Sequence, residues 1–238
     1  MKLIRLNSPN FSKKNRNNSA IKYIIIHYTG MQSRRASINR LLSLRHKVSC
    51  HYLIDRKGII IQMVNDKNVA WHSGKSRWKK IKNLNESSIG VELVNKGHRL
   101  GYEKFPKNQI KSLEILCKKL IKKYRINNKH ILGHSDIAPL RKKDPGEKFP
   151  WYKLSKKKIG YWYPQIKKTS IKFDKKKMRN IFFKNLFKIG YRYFSKTKSY
   201  KSDKIIIKAF KMRYFPKKID GIIDEKTLKI SEFLAKSS

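Results

Sequence analysis

Acidic residues are rare in this sequence. Its 238 residues include 15 Asp and Glu but 60 Lys and Arg, which gives a formal net charge of +45 at pH 7. A charge of this size is typical of proteins with a polyanionic partner, such as nucleic acid, an anionic membrane surface or an acidic wall polymer. However, no single basic block dominates, and lysines occur in every part of the chain. A chain-wide compositional bias therefore explains the charge as well as a specific partner does.

Cysteines and long apolar runs are also few. Cys50 and Cys117 have no CxxC partner, which argues against a thiolate zinc site and against a disulfide framework. No stretch approaches the roughly 20 apolar residues of a membrane span, so we expect no transmembrane segment. Residues 1–20 contain no apolar run of about 7–15 residues, so no standard secretory signal is predicted, which favours a cytoplasmic location.

The apolar residues that are present follow the patterns of strands and helices. Short β-branched and aromatic runs predict strands, and apolar spacings of three and four predict helices. The predicted strands are residues 21–28, 51–54, 59–64, 88–94 and 130–132, and the predicted helices are residues 36–45 and 108–124. Their order, with a hairpin over 51–64, predicts an α/β fold with a mixed central β-sheet and flanking helices.

Three further helical patterns follow near the end of the sequence. They are Met178–Ile189, Ser202–Tyr214 and Asp224–Leu234. Ser202 and Asp224 are residue types that favour N-cap positions. We predict a lead-in over residues 1–20, a main domain over 21–155, a linker over 156–177 and a small C-terminal three-helix domain over 178–238.

Two histidines and an aspartate stand where ligands are expected. His27 lies near the end of a predicted strand, His134 follows another, and Asp144 comes ten residues later in a loop. Ligand sites in open α/β sheets favour the ends of strands. Two imidazoles and a carboxylate make a three-ligand zinc set that leaves a fourth position open. Any single histidine is more often structural than a ligand, so the residues alone leave both interpretations open.

Five stretches carry a resemblance to a known family. They are IIIHYTG (24–30), SCHYLIDRKGIIIQMV (49–64), AWHSGKSRW (70–78), LNESSIGVELVNKGH (84–98) and ILGHSDIAPLRKKDPGEKFPW (131–151). Through them the sequence resembles zinc-dependent N-acetylmuramoyl-L-alanine amidases of the amidase-2 family, in particular the AmiD type, which share a fold with peptidoglycan recognition proteins. Several stretches in register are far more specific than one motif. The resemblance makes residues 21–155 the expected catalytic domain.

The resemblance also implies roles for individual residues. His27, His134 and Asp144 match the three zinc ligands of the family, Glu92 matches its catalytic glutamate and Lys142 its catalytic lysine. Zinc lowers the pKa of a bound water from about 16 towards about 7 and polarises the substrate carbonyl. Glu92 would take the proton of that water and deliver it to the departing amine. Lys142 would stabilise the negative oxygen of the tetrahedral intermediate.

Other residues of the matching stretches have no ligand role. Trp71, His72 and Trp78 could line a glycan or peptide groove or simply pack, and groove lining is favoured only for Trp71 and His72. Asp136 is interpreted as a residue that supports a ligand or caps its loop. The alternation of Glu92 with Val91 and Leu93 predicts that Glu92 points to the opposite face of its strand from theirs.

The C-terminal helices resemble a second known module. IKAFKMRYFPKKIDGIIDEKTLKI (207–230) is similar to the aFQ…DGxxGxxT pattern of small peptidoglycan-binding domains. The positions that fit the pattern are Ala209, Phe210, Asp220, Gly221 and Thr227. Lys211 replaces the usual glutamine and Asp224 the second glycine, so glycan binding is in question. A module of this size could instead only stabilise or orient the enzyme.

The leading hypothesis is a bacterial zinc amidase that cuts between the lactyl group of N-acetylmuramic acid and L-Ala in peptidoglycan or its muropeptides. The alternative is a non-catalytic peptidoglycan-binding protein, which would typically lack part of the zinc set. A nucleic-acid binder is not expected, because no recognisable motif accompanies the charge. We expect Zn²⁺ as cofactor and a monomer. A wall-binding module suits the cell envelope, whereas the missing signal suits the cytoplasm.

Overall fold

The computed structural model describes residues 3–166 and 174–238. The strands are β1 (Leu3–Arg5), β2 (Phe11–Ser12), β3 (Tyr23–Tyr28), β4 (Tyr52–Ile54), β5 (Ile60–Gln62), β6 (Val69–Ala70), β7 (Arg77–Trp78), β8 (Ile81–Lys82), β9 (Ser88–Leu93) and β10 (Ile131–Gly133). The α-helices are α1 (Arg34–Leu42), α2 (Gly97–Leu100), α3 (Lys107–Tyr124), α4 (His134–Ile137), α5 (Trp151–Ser155), α6 (Lys175–Ile189), α7 (Asp203–Tyr214) and α8 (Glu225–Lys236).

Six strands form the central sheet in the order β1-β5-β4-β9-β3-β10. Only the hairpin pair β4 and β5 is antiparallel, and the other neighbours run parallel. The pairs β2–β6 and β7–β8 form two small antiparallel ribbons beside it. The mixed α/β fold with flanking helices is therefore as the sequence predicted.

One face of the sheet is covered by α3. The apolar residues of α3 are three or four positions apart, so they form one stripe. That stripe includes Leu113, Leu116, Cys117, Leu120 and Tyr124, and it packs on the alternate residues Ile24 and Ile26 of β3 and Ile89, Val91 and Leu93 of β9. Because strand side chains alternate between faces, His27 and Glu92 point to the other side.

The opposite face is covered in two parts. At one edge, α1 contributes Leu41 to a small cluster with Leu53 of β4 and Ile61 of β5. Towards β10, the C-terminal helices share one apolar cluster with Ile25 and Leu132 of the sheet. The residues that α6, α7 and α8 bring to this cluster include Phe182, Phe183, Leu186, Ile206, Phe210, Leu228 and Leu234. The three predicted C-terminal helices are present, and they pack against the central sheet.

The described residues 3–20 of the predicted lead-in are part of the fold, which the sequence did not predict. Strand β1 pairs with β5, with Leu3 opposite Ile60. Arg16 is buried and donates to the carbonyl oxygens of Ser88 at 2.7 Å and Asp66 at 2.6 Å. Strands of two or three residues within a polar stretch carry too little periodicity to be recognised.

The predicted linker over 156–177 is only partly described, because residues 167–173 lie outside the described residues. Ile159 is buried with the α3 face of the sheet, and Trp162 packs against both large clusters. The described part of this segment is therefore packed against the rest of the protein. Asp224 caps α8 through the Thr227 amide, whereas Ser202 precedes α7 without a side-chain cap. Among the described residues, no helix is both long and apolar enough to cross a membrane.

Candidate active site

Parallel pairing brings the candidate residues to one end of the sheet. In the register of β3 and β9, His27 stands directly opposite Glu92. Strand β10 lies on the other side of β3 and ends at Gly133, so His134 begins α4 beside His27. The carboxyl ends of parallel strands meet at the same edge, where α/β folds place their sites.

Three donor atoms converge there. His27 Nδ1 lies 2.9 Å from His134 Nδ1 and 3.1 Å from Asp144 Oδ2, and His134 Nδ1 lies 3.0 Å from the same carboxylate oxygen. All three residues are buried. These are the three residues that the sequence predicted as zinc ligands, and the structure brings them together from a strand, a helix start and a loop.

A chain of hydrogen bonds fixes which nitrogen of His27 carries the proton. The Ser88 hydroxyl donates to the Leu84 carbonyl at 2.5 Å, so it must accept from His72 Nε2 at 3.2 Å. His72 Nδ1 is then left to accept from His27 Nε2, 3.0 Å away. His27 Nδ1 therefore presents a lone pair to the cluster.

The second imidazole is oriented in the same sense. His134 Nε2 lies 3.1 Å from the Ser73 carbonyl oxygen and 3.2 Å from Arg141 Nη2. A carbonyl can only accept, so a proton on Nε2 satisfies the shorter contact and leaves Nδ1 unprotonated. Arg141 also donates to that carbonyl, so the acceptor is held in place from the other side. Metal-binding histidines characteristically donate their far ring nitrogen to an acceptor in this way.

These donors fit a zinc ion. Two nitrogen lone pairs and a carboxylate oxygen face one another, and neither ring has a proton there to bridge them. A bound cation would stabilise this arrangement. Zinc at 2.0–2.1 Å from each ligand separates tetrahedral ligand atoms by roughly 3.3–3.4 Å, within a few tenths of an ångström of the spacings found here. Two histidines and one carboxylate also match the donor set of catalytic zinc sites.

The charges of the cluster agree with this reading. Burial, followed by the proximity of His134, lowers the pKa of His27 to about 4, so the ring is neutral at pH 7. Burial alone would raise the pKa of Asp144, but its contacts with His134 and His27 outweigh burial and hold the pKa below its usual range. A neutral His27 and an ionised Asp144 are the protonation states that metal binding requires of these two residues.

Glu92 is poised for proton transfer. Its Oε2 is buried and has no hydrogen-bond partner in the described part of the chain. Burial, with a smaller effect from Asp144, raises the pKa of Glu92 to about 8, while Lys142 opposes the shift. A carboxylate with a free oxygen and a pKa near neutrality is suited to take and return a proton.

A cavity of about 580 Å³ opens above these residues. Glu92, His134 and Asp144 contribute to its wall. The basic residues that line it are Arg40, Lys96, Arg99, Arg141, Lys142 and Lys143. Within the described ranges, the Lys142 ammonium makes no hydrogen bond or ion pair, so it is free to meet a ligand. The carboxylates and imidazoles thus form the bottom of the cavity. The six basic residues above them are called the cationic rim.

Comparison with known proteins decides the family. A model of the N-acetylmuramoyl-L-alanine amidase family matches residues 17–147, more than half of the chain. The chain belongs to this family. It is 32% identical over 231 residues to N-acetylmuramoyl-L-alanine amidase AmiD of Escherichia coli K12, covering 90% of this chain and 82% of AmiD. It is 40% identical over 106 residues to 1,6-anhydro-N-acetylmuramyl-L-alanine amidase AmpD of Haemophilus influenzae, covering 44% of this chain and 55% of AmpD.

Two solved structures extend the likeness to the C-terminal helices. The complex of E. coli AmiD with anhydro-N-acetylmuramic acid-L-Ala-D-γ-Glu-L-Lys matches at a TM-score of 0.80 and 30% identity, covering 95% of this chain and 92% of AmiD. AmpDh3 of Pseudomonas aeruginosa matches at a TM-score of 0.80 and 26% identity, covering 98% of each chain. Both parts of the fold therefore have counterparts within the single chain of AmiD and within that of AmpDh3.

The two residues predicted to line the groove lie in different places. His72 reaches the cavity wall, but its ring is buried behind His27 and bonded at both nitrogens. Trp71 is not among the described residues that line this cavity, and its indole nitrogen donates to Ser12 Oγ at 3.0 Å. A groove role for Trp71 stays a prediction.

Sequence reasoning missed the residues that support the amidase site. The contacts of the Ser73 carbonyl with Arg141 and His134 join residues 68 and 61 positions apart, and the Ser88 hydroxyl meets His72, 16 positions away, so none of these pairs leaves a local pattern. The matching stretches AWHSGKSRW and LNESSIGVELVNKGH do contain Ser73 and Ser88. Their presence in the family resemblance was the available signal, but it did not say which partner each hydroxyl or carbonyl would meet.

Proposed function

We propose that this amidase hydrolyses the amide between the lactyl group of N-acetylmuramic acid and L-Ala, with zinc held by His27, His134 and Asp144. The observation that carries the proposal is the convergence of three unprotonated donor atoms beside the unpartnered Glu92 carboxylate. The likeness to AmiD, solved with an anhydro-muramyl tripeptide, supports this class of substrate. Peptidoglycan fragments with an L-Ala-led stem are the substrates we propose.

Zinc in this site would lower the pKa of a coordinated water and polarise the scissile carbonyl. Glu92 takes one proton from the attacking water as its oxygen bonds to the carbonyl carbon. The same carboxylic acid then protonates the nitrogen of L-Ala as the carbon–nitrogen bond breaks. The products are a muramyl carboxylate and a peptide with a free amino terminus.

The cationic rim has two roles in this proposal. Lys142 stabilises the negative oxygen of the tetrahedral intermediate, because its ammonium is free and lies near the reacting groups. The other basic side chains attract the carboxylates of the stem peptide and raise the rate of encounter. Because the basic side chains lie above Glu92 and Asp144, we expect the stem peptide to lie along the cationic rim and the scissile amide to face Glu92.

The direct test is mass spectrometry of a defined muropeptide incubated with the purified protein. We expect release of the free L-Ala-led peptide, loss of that product with a zinc chelator and its return when zinc is added. Comparing anhydro and reduced muropeptides in the same experiment measures the sugar preference. Retention of an uncut muropeptide by the zinc-loaded protein would refute the amidase and favour the alternative, a non-catalytic binding protein.

We also propose that the C-terminal helices are a peptidoglycan-binding domain in which two departures from the usual pattern compensate each other. Lys211 is fully buried, and its Nζ lies 2.7 Å from Asp220 Oδ1 and 3.5 Å from Asp224 Oδ2. Lys211 on α7 thus contacts Asp224, the residue that caps α8, so the two departures from the pattern meet each other. Co-sedimentation of the full chain with purified wall sacculi tests the binding, which we expect in the inactive Glu92→Gln variant as well. Failure of both proteins to sediment would leave these helices with a structural role only.

A further inference from the structure

The hydrogen bonds around Asp136 link the C-terminal helices to the proposed metal site. Asp136 lies two residues after His134 and is 1% exposed. Its Oδ2 accepts the Gly133 amide at 2.8 Å, which holds the turn that begins with His134. The Ser135 amide in the same turn donates to the Asp144 carbonyl at 2.9 Å. The geometry of this one turn therefore bears on two of the three proposed ligands.

Both oxygens of Asp136 are held by residues of the C-terminal region. The Tyr191 hydroxyl, just after α6, donates to Oδ1, and the Arg213 guanidinium, on α7, donates to Oδ2. Arg213 also donates to the Ile131 carbonyl on β10 at 3.1 Å and stacks over the Trp151 ring at 4.0 Å. Burial, then the charge of Asp136, raises the pKa of Tyr191, so its hydroxyl keeps the proton that it donates.

We propose that Arg213 and Tyr191 are positioning residues of the active site, which hold Asp136 and thereby fix His134 for zinc. This inference deepens the proposed function and rests on it. A domain that served only to bind the wall would need apolar contact with the sheet and no more. Here, a buried ion pair and a tyrosine hydroxyl converge on the carboxylate that shapes the ligand turn. Removing the arginine would leave a buried carboxylate without its counter-charge, and the turn would have to move to hydrate it.

The test is the zinc affinity of the full chain, measured by competition with a chromogenic chelator. Tyr191→Phe removes one oxygen and keeps the ring, while Arg213→Met removes the charge and keeps much of the length. We expect each to raise the zinc Kd about 10-fold or more, as loss of groups that support metal ligands does. Arg213→Lys keeps the charge and is expected to recover part of the affinity.

The matched control is Arg179→Met, which breaks the ion pair of Arg179 Nε with Asp203 Oδ2 at 2.9 Å between α6 and α7. This pair does not contact Asp136, so the variant should lower the thermal stability and leave the zinc Kd within about 2-fold. Wild-type zinc affinity in folded Tyr191→Phe would overturn the inference, whatever the folding of Arg213→Met. Failure of the wild-type chain to bind zinc would refute the proposed function itself and this inference with it.

Discussion

His72 shows how the proposed zinc site depends on a residue that offers no ligand. Its ring fits only because position 90 is glycine: a Cβ there would lie 2.3 Å from His72 Cγ. The His72 ring donates from Nε2 to the Ser88 hydroxyl and accepts at Nδ1 from His27 Nε2. This leaves His27 Nδ1 unprotonated. His72, predicted from sequence as a groove residue, thus also contacts a proposed zinc ligand and orients its ring.

Replacing His72 by phenylalanine should weaken zinc binding. The variant keeps the volume of the ring but removes the acceptor for His27 Nε2, so the His27 ring loses its fixed orientation. We expect a zinc Kd about 10–100-fold higher, measured by chelator competition. His46→Phe, at an exposed histidine, is the control and should match wild type. Equal affinities in both variants would rule out the support by His72.

Glu92→Gln should separate catalysis from metal binding. The amide cannot take a proton from water, so kcat for muropeptide cleavage should fall by about 10²–10⁴-fold. Zinc content, measured by atomic absorption, should stay at the wild-type level because Glu92 is not one of the three donors. Substantial residual kcat would remove Glu92 from the mechanism.

The pH profile follows from the same residue. Glu92 acts as a base only when ionised, so activity should rise with pH through its pKa. That pKa is raised to about 8 by burial, and the charge of a bound zinc would lower it. The acidic limb of the kcat profile should therefore lie below pH 8. A rate independent of pH between 5 and 8 would contradict the assignment.

At the scale of elements, the sequence predicted most of the sheet, and the residues that it proposed for the site are brought together by the fold. The strand β3 contains three consecutive isoleucines, β9 alternates Ile89, Val91 and Leu93 with residues of the other face, and α3 has a clear apolar stripe, so their patterns are unambiguous. Parallel strand ends then bring His27 and Glu92 side by side. The strand β1 could not be predicted, because three residues at a sheet edge carry no period. The contact of Asp136 with Arg213 could not be predicted either, because it joins residues 77 positions apart.

The helix pair α7 and α8 should become less stable in acid. The Lys211 hydrogen bond lowers the pKa of Asp220 to about 2, below the value of about 4 that is usual for an unfolded aspartate. A carboxyl whose folded pKa is depressed adds stability above pH 4, and that stability is lost as the pH falls from about 4 to about 2.

Lys211→Gln restores the residue of the usual pattern and removes the cation. Its thermal unfolding temperature should therefore fall less steeply than that of wild type between pH 4 and pH 2, as followed by circular dichroism. Asp220→Asn should show the same flattened slope. Parallel slopes in all three proteins would mean that this ion pair does not couple to folding.

For the whole molecule, the net charge and the residues that line the cavity both favour a negatively charged substrate. The charge of +45 is spread over the chain, but six basic residues are concentrated around the cavity. Cleavage of a muropeptide with free stem carboxylates should lose kcat/KM as salt rises from about 0.05 to 0.5 M, mainly through KM, because salt screens the attraction. A muropeptide with amidated carboxylates is the control and should show a weaker dependence. Equal salt dependence for both would remove the rim from substrate recruitment.

The apolar cluster that joins the C-terminal helices to Ile25 and Leu132 also has a genetic consequence. A stop codon placed after position 166 would leave these sheet residues bare, and Asp136 would lose both of its C-terminal partners. Such an allele is expected to be null, with the truncated chain recovered in the insoluble fraction. Recombination that exchanged these helices for those of another gene would meet the same barrier, so the two parts should be inherited together.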